Sequence, residues 1–124
     1  MELKELYQEI ILDHAKNPRN KGKCKNYNHD AKAHNALCGD KVHIYLNLDG
    51  GKNIKGLSFE GEGCAISLAS ASILTDTLKG KDLSFTKKVT EDFLNMIKTK
   101  RKITLNSLSE DQITTINSLS GVQE

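Results

Sequence analysis

Val42, Ile44, Leu46 and Leu48 alternate with Lys41, His43, Tyr45 and Asn47. That period of two fits a strand buried on one face and little else. Asp49-Gly50-Gly51 follows as a turn signal. Residues about 54–60 then read as a second strand with Leu57 and Phe59 on one side. Together the two runs predict an antiparallel hairpin, and its ends carry the chemistry of the chain. Cys38-Gly39-Asp40 precedes the first strand, and Gly61-Glu62-Gly63-Cys64-Ala65-Ile66-Ser67 follows the second. Folding the hairpin therefore brings Cys38, Asp40 and Cys64 to the same end of the sheet.

The flanking segments are helical. Leu3, Leu6, Tyr7, Ile10, Ile11 and His14 recur at helical spacing over residues 3–15, and Asn17-Pro18 stops the helix. His14 falls in its last turn, where a positive charge suits the helix dipole. Residues 17–35 are polar and lysine-rich, with room for a strand around 28–34. From Ala65 to Leu78 the chain is small and apolar on nearly every face, which predicts a buried helix ended by Gly80. Phe85, Val89, Phe93, Leu94 and Ile97 place an amphipathic helix over 84–98. Ser109-Glu110-Asp111-Gln112 resembles a capping box that opens a last helix through Ile113, Ile116 and Leu119, with Gly121 as its stop. The predicted class is α+β, a small antiparallel sheet of about three strands packed against helices. At 124 residues a single domain over 1–124 is expected.

Composition excludes several functions. Leu, Ile, Val and Phe supply 31 of 124 residues, above the level of roughly 20% that marks intrinsic disorder. A net charge of +2 gives no global field to draw a polyanion. The densest basic run, Lys98-Thr99-Lys100-Arg101-Lys102, has no aromatic residues interleaved for base stacking. It reads as a solvated helix end, and no nucleic-acid partner is expected. No stretch is apolar and long enough to suggest a signal peptide or a membrane span. With an odd count of three cysteines, a reducing, cytoplasmic setting is expected, where thiols serve as metal ligands, nucleophiles or inert core residues.

Cys64 stands where a Gly-x-Gly turn meets a helix N-terminus. Unpaired N–H groups and the dipole there favour a thiolate, the form that binds metal or attacks an electrophile. Cys38 and Asp40 are two apart, with Gly39 between them to let both side chains converge. A thiolate–carboxylate set suits zinc or a labile iron site better than a closed all-cysteine knuckle. The competing reading makes Cys38 and Cys64 small buried hydrophobes and Asp40 a turn cap. A phosphate loop at Gly61-x-Gly63 is disfavoured because the length and the lysine of a P-loop are absent. Cys24, among Lys21, Lys23 and Lys25, reads as an incidental loop cysteine. His14, His29, His34 and His43 show no metal-ligand spacing, and only His34 lies close enough to Cys38 to stay a weak candidate.

Four motifs occur in one order: Leu6-Tyr7-x-x-Ile10; His14-x-x-x-Pro18-Arg19-Asn20-x-Gly22; Asn35-x-x-Cys38-Gly39-Asp40; and Phe59-x-Gly61-x-Gly63-Cys64-x-Ile66-Ser67-x-Ala69-Ser70. Over essentially the whole chain this pattern resembles the iron–sulfur cluster assembly scaffold family, the NifU N-terminal or IscU-like domain. It is most similar to the SufU-type branch, since residues 80–108 resemble the insertion that branch carries. The resemblance implies Cys38 as metal ligand and acceptor of persulfide sulfur, Cys64 as a second thiolate ligand, and Asp40 as the ligand that keeps the site exchangeable. It implies zinc, or iron and a labile [2Fe–2S] cluster, as what the site holds. The implied partners are a cysteine desulfurase and recipient apo iron–sulfur proteins or a carrier, with homo-oligomers left open. Such a protein is a scaffold more than a catalyst; its catalytic form is a zinc-dependent sulfur acceptor. A regulatory protein that binds the desulfurase and assembles nothing is a further alternative.

In the family, the stretch resembling Leu119 to Glu124 leads into an extended segment, a third motif cysteine and a last helix, which this sequence lacks. Thiolate donors dominate such sites, and a structural zinc site binds with about 10–16 kcal/mol. The resemblance therefore predicts a weaker, water-accessible or vacant site here, and an exposed apolar patch where that helix would pack.

Overall fold

A computed structural model describes residues 2–35, 39–99 and 110–118. Within them the order is α1 (Leu3–Lys16), β1 (His29–Asn35), β2 (Asp40–Leu48), β3 (Ile54–Glu62), α2 (Ala65–Leu78), α3 (Leu83–Thr99) and α4 (Glu110–Asn117). The expected α+β class and three-stranded sheet are both present. The sheet is antiparallel, in the order β1-β2-β3. In the hairpin, Lys41 pairs with Glu62, Val42 with Gly61, Ile44 with Phe59 and Leu46 with Leu57.

Near the turn the register shifts at Asn47 and Leu48, so that Leu48 pairs with Ile54. The bulge absorbs one residue of β3. It explains how Ile54 and Leu57, an odd number apart, both reach the core. The turn is held by the Asp49 carboxylate, whose Oδ1 accepts from the N–H of Gly51 (3.0 Å) and of Asn53 (2.8 Å).

Residues 20–22, in a stretch that sequence periodicity leaves unread, cover the free edge of β3 at Phe59. Gly22 N–H donates to the Phe59 carbonyl (2.7 Å), and Phe59 N–H donates to the Asn20 carbonyl (3.0 Å). An unpaired edge is thereby covered, and Phe59 is wholly buried.

The helices pack on the β3 side in two apolar clusters. One joins Ile73, Phe93, Met96 and Ile116; the other joins Ile54, Leu57, Leu78 and Val89, with Phe85 packed against both. Burying each such side chain contributes about 1.5–3 kcal/mol. The stop at Gly80 is confirmed: Lys79 caps α2, and Gly80 follows at φ +83°. Ser109, Leu119 and Gly121, invoked for the last helix, lie outside the described residues, as does most of the basic run beyond Thr99.

Two sequence expectations need correction. His14 is not a solvated charge at the end of α1: it is buried, and its Nδ1 lies 2.7 Å from Ser72 Oγ on α2. Burial pushes its pKa below the usual 6.5, and the neighbouring Arg19 charge adds to that. At neutral pH it is an uncharged tie between α1 and α2. Period two puts Tyr45 on the polar face of β2, yet it is 4% exposed. Its ring stacks on His43 (4.1 Å between centroids) and meets Tyr27 edge-on (4.9 Å), while its hydroxyl donates to the Glu60 carboxylate. That bond pushes the phenol pKa up to about 12. Period two assigns a face, but not what a neighbouring loop lays over it.

Candidate metal and sulfur site

The hairpin register delivers Asp40, first residue of β2, to the point where β3 ends and α2 begins. Cys64 is the N-cap of α2, in extended backbone conformation, and its thiol makes no cap hydrogen bond of ordinary geometry. Asp40 takes over that task from the neighbouring strand. Its Oδ1 accepts from the Cys64 backbone N–H (3.1 Å), and its Oδ2 accepts from the Ser67 hydroxyl (2.6 Å). No acidic residue lies in the first turn of α2 itself. Asp40 therefore supplies the negative charge that the positive end of the dipole favours. The carboxylate thus serves, from another element, the half of a capping box that reaches the N-cap N–H.

Gly63 is what lets the carboxylate in. At φ +155° its backbone is one that side-chain-bearing residues rarely adopt, and a Cβ there would lie 2.3 Å from Asp40 Oδ1. Glycine here is the vacancy that Asp40 occupies.

Cys64 is exposed, so the reading of it as a buried hydrophobe is set aside. Its Sγ lies 3.4 Å from Ser67 Oγ. The thiol pKa is lowered from 9.0, first by the Ser67 hydroxyl and then by the backbone N–H groups of Ser67 and Ile66. Partial burial and the Asp40 charge act in the opposite direction. The result is an accessible sulfur that ionises more readily than an unperturbed thiol.

Of the residues expected at the site, the structure thus joins Asp40 and Cys64 through Ser67. Cys38 lies outside the described residues. Cys24 is half-buried against Gly56, toward the turn end of the hairpin and away from Cys64. His34, paired with Lys41, lines the same groove as Asp40 and Ser67. That groove, about 490 Å³, is apolar along Val42, Ile44, Ile66, Leu68 and Leu74. Among the described residues no group of three His, Cys, Asp or Glu side chains is arranged to hold a metal ion. The donors present still suit one: a thiol and a carboxylate share a single hydrogen-bond network, and each keeps lone pairs free.

Ser67 is the residue that sequence reasoning missed. It stands in the quoted motif without a role, although its place three residues after an N-cap was a usable signal.

Residues 6–116 match the family model of the NifU-like N-terminal domain. The chain belongs to that family. It is 42% identical over 95 residues to the zinc-dependent sulfurtransferase SufU of Bacillus subtilis, covering 77% of this chain and 63% of the relative. It is 33% identical over 87 residues to the iron–sulfur cluster assembly scaffold protein IscU 1 of Archaeoglobus fulgidus, covering 70% and 56%. The chain thus spans 56–63% of the length of these curated relatives. Among solved structures, a protein assigned as an iron–sulfur cluster assembly scaffold for the SUF system of Fervidobacterium islandicum superposes with a TM-score of 0.74 at 28% identity, over 94% of this chain and 82% of that one. The N-terminal part of a NifU-like protein from Brucella abortus shares the fold, with a TM-score of 0.78 at 19% identity over 95% and 78%. Among the described residues of this NifU-like domain, no helix is long and apolar enough to cross a membrane.

Proposed function

We infer that this chain acts in iron–sulfur cluster assembly, taking persulfide sulfur from a cysteine desulfurase and holding it with iron at a site made by Cys38, Asp40 and Cys64. One observation carries the reading: an exposed thiol of lowered pKa and a carboxylate are joined in one hydrogen-bond network at the end of the hairpin, and Cys38 precedes that carboxylate by two residues in sequence. Iron and the nascent cluster are the cargo of this function.

Sulfur transfer requires an attacking thiolate. The Cys38 thiolate attacks the terminal sulfur of the desulfurase persulfide; a new S–S bond forms, the old one breaks, and the desulfurase cysteine leaves as thiolate. On this reading Cys64 and Asp40 supply the sulfur and oxygen donors that go with the new persulfide. Mixed hard and soft donors hold iron less tightly than an all-thiolate cage, which suits a site that must release what it builds. Recipients are apo iron–sulfur proteins or a carrier.

Anaerobic incubation with iron, cysteine and a cysteine desulfurase should generate cluster absorbance that is lost in Cys64→Ser and Cys38→Ser. No absorbance in the unmodified protein overturns the scaffold reading.

The 42% identity to SufU supports a second reading, a zinc-holding sulfur acceptor. Cys38, Asp40 and Cys64 would hold the zinc, which supplies Lewis acidity and keeps its thiol ligands deprotonated. Here a persulfide on Cys38 and stoichiometric zinc should appear by mass spectrometry without any cluster. Desulfurase binding with neither signal would instead mark a regulatory protein.

A further inference from the structure

We propose that Ser67 is a positioning residue for the metal site, setting the Asp40 carboxylate and the Cys64 sulfur relative to each other. The inference rests on the reading of Asp40 and Cys64 as donors, and it assigns a role to a residue that is not itself a ligand.

Ser67 Oγ stands 2.6 Å from Asp40 Oδ2 and 3.4 Å from Cys64 Sγ. No other described side chain is hydrogen-bonded to both. Its hydroxyl carries one hydrogen, donated to Asp40. The second carboxylate oxygen is fixed by the Cys64 N–H. Two bonds to two oxygens settle both the position and the rotation of the carboxylate, while each oxygen keeps a lone pair for an ion. Both anchors are rigid, because Cys64 and Ser67 lie in the first turn of a helix whose following turns are buried at Ala69, Ser72 and Ile73. Gly63 keeps the space clear, since a Cβ there would overlap the carboxylate. A site on a rigid element, with its carboxylate held by an outer hydrogen bond, has the arrangement that preorganised metal sites require.

Removing such an outer partner typically weakens metal binding about 10–100-fold. The test is zinc affinity, measured by competition with a chromophoric chelator, for the unmodified protein, Ser67→Ala, Ser67→Thr, Asp40→Ala, Cys64→Ser and the Asp40→Ala/Ser67→Ala pair. Ser67→Ala should bind zinc at least about tenfold more weakly. Ser67→Thr, which keeps the hydroxyl, should stay within about threefold of the unmodified protein. In the Asp40→Ala background, Ser67→Ala should cost little more, because its main route of action is gone. Unchanged affinity in Ser67→Ala overturns the proposal. So does an equal loss with and without Asp40, or a loss explained by unfolding of the metal-free variant in a thermal melt, which would make Ser67 structural. If Cys64→Ser binds zinc as well as the unmodified protein, the site reading itself fails. If Cys64→Ser abolishes binding while Ser67→Ala does not, only the role of Ser67 fails.

Discussion

Helix α2 carries two serine-centred hydrogen-bond knots that use similar chemistry to opposite ends. Ser67, in its first turn, joins Asp40 and Cys64 at an exposed sulfur. Ser72, five residues on, is fully buried and joins His14 on α1 to the backbone N–H of Arg19. At the first knot water still competes, so its bonds bias geometry and acidity more than they stabilise the fold. At the second, no water is at hand to replace a lost partner, and the full desolvation cost falls on whatever is left unpaired. Burial separates a knot that tunes chemistry from one that holds the fold.

The largest effect should come from the buried knot. His14→Ala removes a 6% exposed side chain, opens a cavity between α1 and α2, and strips Ser72 of a partner. A loss of about 2–4 kcal/mol in urea unfolding is expected. The alkylation rate of Cys64 under native conditions should not change. A loss well under about 1 kcal/mol, or an altered thiol rate, would break the division between the two knots.

The same histidine gives the fold a pH dependence of definite sign. Its native pKa lies below the unfolded value of 6.5, chiefly through burial and the Arg19 charge, with Asp13 and Asp76 pulling weakly the other way. Above 6.5 both states are neutral at this site and full stability is present. As pH falls through 6.5 the unfolded chain takes up a proton that the native state refuses, so stability drops. It drops by at most about 1.4 kcal/mol per pH unit and levels off once pH passes the native value. Urea unfolding at about pH 7.5 and about pH 5.5 should show a larger loss for the unmodified protein than for His14→Gln. Equal losses would place the titrating group elsewhere.

Both knots bear on how much of the molecule its sequence discloses. The hairpin, α1 and α3 follow from periods of two and of 3.6, because each buries a stripe, whereas α2 follows from a run that is small and apolar on nearly every face. The nearness of Asp40 and Cys64 is legible for the same reason: strand pairing converts their separation in sequence into proximity. What stayed hidden depends on contacts that no period encodes. The edge cover by residues 20–22 is backbone pairing and needs no apolar pattern. His14 looked like a dipole-matched charge because its place in α1 is local information, whereas the Ser72 that buries it lies 58 residues away. Ser67 reads only as one more small residue of α2, because its partner Asp40 sits on another element, 27 residues back.

The smallest effect, and the one that most sharpens the comparison, concerns how Ser67 divides its single hydrogen. In the thiol form that hydrogen goes to Asp40 Oδ2, and the Cys64 S–H can donate to Ser67 Oγ. Once Cys64 ionises, the thiolate becomes a second acceptor for the same hydrogen, assisted by the N–H groups of Ser67 and Ile66, while the Asp40 charge resists. The net direction is downward from 9.0. In a protein whose only thiol is Cys64 (Cys24→Ser, Cys38→Ser), the pH midpoint of iodoacetamide alkylation should therefore lie below 9.0. Ser67→Ala should move it up, since the largest favourable contribution is lost. Asp40→Asn should move it down, because the opposing charge goes while the shape stays. His14→Gln should leave it unchanged, although that residue belongs to the more strongly stabilising knot. A midpoint indifferent to Ser67 would reduce the 3.4 Å sulfur–hydroxyl approach to mere packing and erase the distinction between the two serines on which the comparison stands.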